Sequence, residues 1–118
     1  MQPASVLLVD DDPDIRESIC MVLEAEGYSV ETAANGAEAL EKLRDLPLPS
    51  LVLLDLMMPV MNGWRFLELV NGGQPATFPV VVVSAAVPPK PDNAVSCLRK
   101  PVDLDSLLAK VAEYARPQ

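Results

Sequence analysis

Histidine is missing altogether from this chain of 118 residues, and cysteine occurs only twice, as Cys20 and Cys97. A zinc centre needs clusters of those residue types at ligand spacing, and a disulfide scaffold needs more cysteines, so neither fits. Each cysteine lies within an apolar stretch and is expected as a reduced core residue. Positive charge is also scarce: 9 Lys and Arg against 17 Asp and Glu leave a formal charge of −8. Phosphate backbones and anionic lipids are gripped by clustered cations, which argues against direct nucleic-acid binding and against a membrane partner. Long hydrophobic runs are missing too. The first apolar stretch, Val6-Leu7-Leu8-Val9, stops at Asp10-Asp11-Asp12. That is too short for a membrane span and wrongly flanked for a signal peptide, so a cytoplasmic location is expected.

Half of the residues are hydrophobic, which supplies one packed core, while the length leaves no room for a second. Residues 1–118 therefore read as a single domain. Runs rich in Leu and β-branched residues, at Ser5 to Val9, Tyr28 to Thr32, Ser50 to Leu54, Phe78 to Val83 and Val95 to Leu98, alternate with stretches of helical period. That alternation predicts an α/β fold with a parallel sheet covered on both faces. After the first run, Asp12 offers an N-cap and Pro13 suits the first helical position. Ile15, Ile19, Val22 and Leu23 then repeat at helical spacing until Gly27. A second helix is expected from Asn35-Gly36 to about Arg44 with Ala39, Leu40 and Leu43 inward. A third follows Gly63 with Trp64, Phe66, Leu67 and Val70, closed by Gly72-Gly73. The last is capped by Asp103 and turns Leu104, Leu107, Leu108 and Val111 inward, with Asp105 placed well for the helix dipole.

Between the fourth and fifth runs the spacing breaks down. Val87-Pro88-Pro89-Lys90-Pro91-Asp92-Asn93-Ala94 holds three prolines in four residues, and proline removes a helix donor while pushing the preceding residue out of the α region. A helix is expected to be missing there or much shortened.

Three runs end in complementary charge. Val9 leads into Asp10-Asp11-Asp12, Leu54 into Asp55, and Leu98 into Arg99-Lys100-Pro101. If the runs are parallel strands, all three ends share one edge, and carboxylates and an ammonium meet in one crevice. The stretches Leu7-Leu8-Val9-Asp10-Asp11-Asp12-Pro13, Leu53-Leu54-Asp55-Leu56-Met57-Met58-Pro59-Val60-Met61-Asn62-Gly63, Val83-Ser84-Ala85 and Arg99-Lys100-Pro101-Val102-Asp103 stand in that order. With them the chain resembles a response-regulator receiver domain of two-component signalling, over essentially its whole length. The resemblance implies a flavodoxin-like (βα)5 sheet of order 2-1-3-4-5 with Asp55 as phosphate acceptor. It also implies a histidine kinase or phosphotransfer protein as donor, and a cis peptide after Lys100.

The chemistry of the residues agrees. Carboxylates forced together repel unless a cation is bound, and hard Mg²⁺ takes oxygen ligands. Asp11 and Asp55 are expected as direct ligands, Asp10 through a water, and Met57 through its backbone carbonyl. Phosphoryl transfer needs positioning and neutralisation, so Asp55 attacks in line, the Lys100 ammonium screens the incoming dianion, and Ser84 donates its hydroxyl to a phosphoryl oxygen. Ala85 is small enough to leave the approach open.

The chain departs from the family along its output route. In the resemblance an aromatic on the fifth strand swings inward as the hydroxyl residue moves; here the hydroxyl switch residue is Ser84, the position matching the aromatic is Cys97, and the proline-rich loop replaces a helix. Signalling is expected to pass through the loop from Ala85 to Ala94 or through the first helix. The alternative is a pseudo-receiver, a binding module that ignores phosphate. Cys97 and the missing helix favour it; the intact acidic, acceptor, hydroxyl and lysine positions oppose it. No enzyme is expected beyond self-catalysed phosphorylation and dephosphorylation. A haloacid-dehalogenase phosphatase wants a second Asp where Met57 stands, a dinucleotide site wants glycines where Asp10-Asp11-Asp12-Pro13 stands, and Asp10, Asp12 and Asp14 lack the Gly and Glu of an EF-hand.

Overall fold

The computed structural model describes residues 4–45, 49–71, 78–85 and 94–115. Five strands and four helices follow one another as β1 (Ser5–Val9), α1 (Pro13–Ala25), β2 (Ser29–Ala33), α2 (Gly36–Asp45), β3 (Leu51–Leu54), α3 (Gly63–Asn71), β4 (Val80–Ser84), β5 (Ser96–Arg99) and α4 (Leu104–Tyr114). Neighbouring strands are all parallel, in the order β2-β1-β3-β4-β5. This is the flavodoxin-like order expected. The strands lie within a residue or two of the runs read from sequence. The helix-free connection expected before β5 falls on residues 86–93, and the Gly72-Gly73 stop on residues 72–77. Both lie outside the described residues.

Side-chain alternation along the strands divides the core into two layers. Leu7, Val9, Val52, Leu54, Val80 and Val82 pack with Ala39 of α2 and with Phe66 and Leu67 of α3. Val6, Leu8, Leu51, Leu53, Val81 and Val83 face the other way, onto Ile19 and Leu23 of α1 and Leu107 and Val111 of α4. Strands sandwiched in this way must be apolar on both faces, and β3 and β4 are buried at every residue. Each such Leu or Val contributes about 1.5–3 kcal/mol on burial.

The helices begin where the sequence caps them. Asp12 Oδ1 accepts the amides of Asp14 at 2.9 Å and Ile15 at 3.3 Å, and Asp103 Oδ2 accepts the Ser106 amide at 3.1 Å and its hydroxyl at 2.8 Å. A cap of this kind is worth about 1 kcal/mol. After α1, Gly27 takes φ +94° and turns the chain into β2. Leu104 departs from expectation. It is the first residue of α4 and is 44% exposed, because the helix gains the sheet only at Leu107.

Candidate functional site

Strand register decides which groups meet. Val9 pairs with Leu54, Leu54 with Val82, and Ser84 with Arg99, so the residues that follow leave the sheet together at its carboxyl edge. Backbone bonds fasten them: the Asp10 amide donates to Ala33 O at 3.1 Å, the Asp55 amide to Val9 O at 2.9 Å, and the Lys100 amide to Ser84 O at 2.9 Å. The Lys100–Pro101 peptide is cis, as the resemblance implies.

The side chains converge. Carboxylate oxygens of Asp10, Asp11 and Asp55 lie within 4.8 Å of one another. The Lys100 ammonium bridges two of them, at 2.8 Å from Asp10 Oδ2 and 3.2 Å from Asp55 Oδ2. The remaining oxygens of those two are held by backbone, Asp10 Oδ1 by the Asp12 amide at 2.9 Å and Asp55 Oδ1 by the Met57 amide at 3.1 Å. Asp10 and Asp55 are buried, whereas Asp11 is exposed and no hydrogen bond or ion pair among the described residues fixes its carboxylate. Ser84 is fully buried, and its hydroxyl finds no hydrogen-bond partner among the described residues. Such a group costs about 1–3 kcal/mol, so its persistence at a strand end calls for a function.

Burial pushes the Asp55 carboxyl above its ordinary range. The Met57 amide and the Lys100 charge pull it back only in part, and the Asp10 charge adds to the rise. Burial alone would lower Lys100. The hydrogen bond and charge of Asp10, then those of Asp55, outweigh it and hold the ammonium above its usual value.

The loop after Asp55 is shaped by close approaches. A Cβ on Gly63 would lie 2.7 Å from the Asp55 carbonyl oxygen and 2.8 Å from Leu56 Cα, so only glycine lets α3 start against the acceptor's backbone. The Gly36 amide donates to Met61 O at 3.0 Å, tying the start of α2 to this loop. Between them Val60 sits at φ +67°, and Met61 N donates to Pro59 O at 2.7 Å. That is a γ-turn of the strained hand, centred on a β-branched residue. Beside the site, Ile15, Ile19, Pro101, Val102 and Leu104 line an apolar groove of about 270 Å³ between α1 and the start of α4.

Two expectations need correction. Both cysteines are free, but Cys97 is exposed and Cys20 only half-buried. Cys97 lies on β5, an edge strand whose residues alternate between half-buried and exposed; Cys20 sits beside, not on, the buried stripe of Ile19 and Leu23. Sequence reading also missed Arg16, whose guanidinium donates to the Asp10 carbonyl oxygen at 2.7 Å. A signal was there. Arg16 is the single basic residue of α1 and lies in the first turn, where the helix dipole disfavours positive charge.

Three carboxylates offering only oxygen, two of them buried and one raised in proton affinity, fit a hard divalent cation better than a soft one. The family model of the response regulator receiver domain matches residues 6–112. The chain belongs to that family. This receiver is 38% identical to the transcriptional regulatory protein CpxR homolog of Haemophilus influenzae, over 96% of the chain and 51% of the relative. It thus spans about half the length of that curated relative. The chemotaxis protein CheY4 of Vibrio cholerae superposes with a TM-score of 0.85 at 32% identity, covering 95% of this receiver and 98% of CheY4. The response regulator TrrA of Thermotoga maritima, solved in complex with Mg²⁺-BeF, gives 0.82 at 31% identity over 94% of this receiver and 98% of TrrA. The flavodoxin-like fold and the membership in two-component response regulators follow. No described helix is long and apolar enough to cross a membrane.

Proposed function

We propose that this receiver, with residues 1–118 forming one domain, takes a phosphoryl group onto Asp55 in the cytoplasm from a histidine kinase or a phosphotransfer protein and changes conformation in response. Asp11, Asp55 and the Met57 carbonyl would hold Mg²⁺, with Asp10 through a water. The cation supplies charge neutralisation between the acceptor and the incoming dianion. Asp55 is suited to nucleophilic attack because its backbone is pinned to Val9 and Gly63 packs behind it. As the bond from phosphorus to the donor's imidazole nitrogen breaks, that nitrogen keeps the electron pair, and an Asp55 oxygen forms the new bond to phosphorus. Lys100, already within hydrogen-bond reach of Asp55, screens the three equatorial oxygens.

The observation that carries this reading is the Ser84 hydroxyl. A bare cation site has no use for a buried O–H donor that has no partner among the described residues and lies on the strand next to Lys100; a phosphoryl oxygen would be its acceptor. Capture of that oxygen would move the end of β4, and with it the neighbouring Cys97 strand, as the switch. The groove lined by Ile15, Ile19 and Leu104 gives the donor protein an apolar seat beside the acceptor.

Incubation with acetyl phosphate and Mg²⁺, followed by a phosphate-affinity gel, tests the proposal. A retarded, hydroxylamine-labile band is expected from the wild type and none from Asp55→Asn. A wild type that stays unretarded with acetyl phosphate and with every purified kinase tried would overturn it and leave a binding module that ignores phosphate.

A further inference from the structure

We infer that Arg16 is a positioning residue for the acidic site, acting through the Asp10 carbonyl to aim the Asp11 carboxylate. The inference rests on the cation-site reading above. It begins from an asymmetry among the three carboxylates. Asp55 is held at its amide, at Oδ1 and at Oδ2. Asp10 is held at its amide and at both carboxylate oxygens. Asp11 is exposed, and nothing among the described residues holds its side chain. Its direction is therefore set by its backbone alone.

That backbone begins with the peptide unit between Asp10 and Asp11, which is planar, so fixing its carbonyl oxygen fixes the plane from which Asp11 projects. The oxygen has left the β-ladder and precedes α1, and no backbone amide among the described residues donates to it. Arg16 reaches back six residues and donates to it at 2.7 Å, a short charge-assisted bond. The helix fixes the Arg16 end, because its amide donates to Asp12 O at 3.0 Å and the Asp12 side chain caps the same turn. One guanidinium thus closes a ring around the Asp10–Asp11–Asp12 turn.

Electrostatics alone predicts the opposite effect on a bound cation. A guanidinium held on the Asp10 carbonyl adds positive charge beside the site and repels a divalent ion, and removing it should tighten binding. Removing a group that aims a ligand should loosen binding, by about tenfold where supports of metal ligands have been altered. The two accounts differ in sign, which makes the role testable.

Titration of the apo protein with Mg²⁺ by calorimetry should give about tenfold weaker binding for Arg16→Met, which keeps the apolar stem but no donor. Arg16→Lys, which keeps the charge but not the fork, should fall between the two. Far-UV circular dichroism reports whether each variant folds, and should Arg16→Met not fold, Arg16→Lys alone decides, with weaker binding expected at unchanged charge. Binding by the folded variant that equals or exceeds wild type overturns the positioning role and leaves the site reading intact. A wild type that binds no Mg²⁺ at millimolar concentration overturns the site reading, and the inference with it.

Discussion

The interior of the sheet and its carboxyl edge are built from the same strands and follow opposite rules. Inside, Val52, Leu53, Leu54, Val80, Val81 and Val82 are wholly buried, carry no charge and pack on helices from both sides. At the strand ends the chain buries Asp10, Asp55 and Ser84, leaves a hydroxyl without a partner among the described residues and gathers carboxylates around one ammonium. The interior maximises stability. The edge holds like charges together at a cost that Lys100 offsets only in part, and the rigid interior is what makes that arrangement durable.

Substitutions on the two sides of this boundary should behave differently. Leu53→Ala, in the interior, is expected to lose about 2–5 kcal/mol in urea denaturation while the remaining folded protein still takes phosphate on Asp55. Gly63→Ala crosses the boundary. Its Cβ meets backbone atoms of Asp55 and Leu56 that cannot swing aside, so a loss of about 1–3 kcal/mol should come with slowed acetyl-phosphate labelling. At the edge the sign reverses. Val60→Asn, at an exposed position of φ +67°, should gain about 1 kcal/mol, because Asn tolerates the left-handed region. A measured loss would mean that the turn is supported by contacts of the valine itself.

Asp55→Asn should give the smallest rise, with a pH dependence that identifies its source. The folded state binds the Asp55 proton more tightly than the unfolded chain, since burial raises its pKa. The wild type therefore loses stability as pH climbs from the ordinary carboxylate range through the raised folded value. The Asn variant lacks that loss. Its melting temperature should exceed wild type at pH 7 and converge with it in acid. A variant less stable at neutral pH would show that the Lys100 contacts outweigh desolvation.

The same boundary separates what could be read in the chain from what could not. The interior was legible because burial on both faces demands unbroken apolar runs, and helix starts were legible because Asp12 and Asp103 cap locally. The acidic, hydroxyl and lysine positions were legible as the residues that end those runs. Cys97 was misjudged because an apolar neighbourhood in sequence says nothing about lying on an edge strand. The Gly36–Met61 tie depends on where one loop lies against another, which no local pattern encodes, and Arg16 left only its unusual place in the first turn of α1 as a signal.

Apolar periodicity and capping residues, both properties of near neighbours in the chain, determined the alternation of strands and helices and placed charge at the strand ends. Tertiary structure alone decided that Lys100 touches Asp55 across a separation of 45 positions, that Asp55 is desolvated and that the Ser84 hydroxyl has no partner among the described residues. Those are matters of distance and solvent exclusion, and they exist only once parallel pairing has brought separate strand ends to one edge.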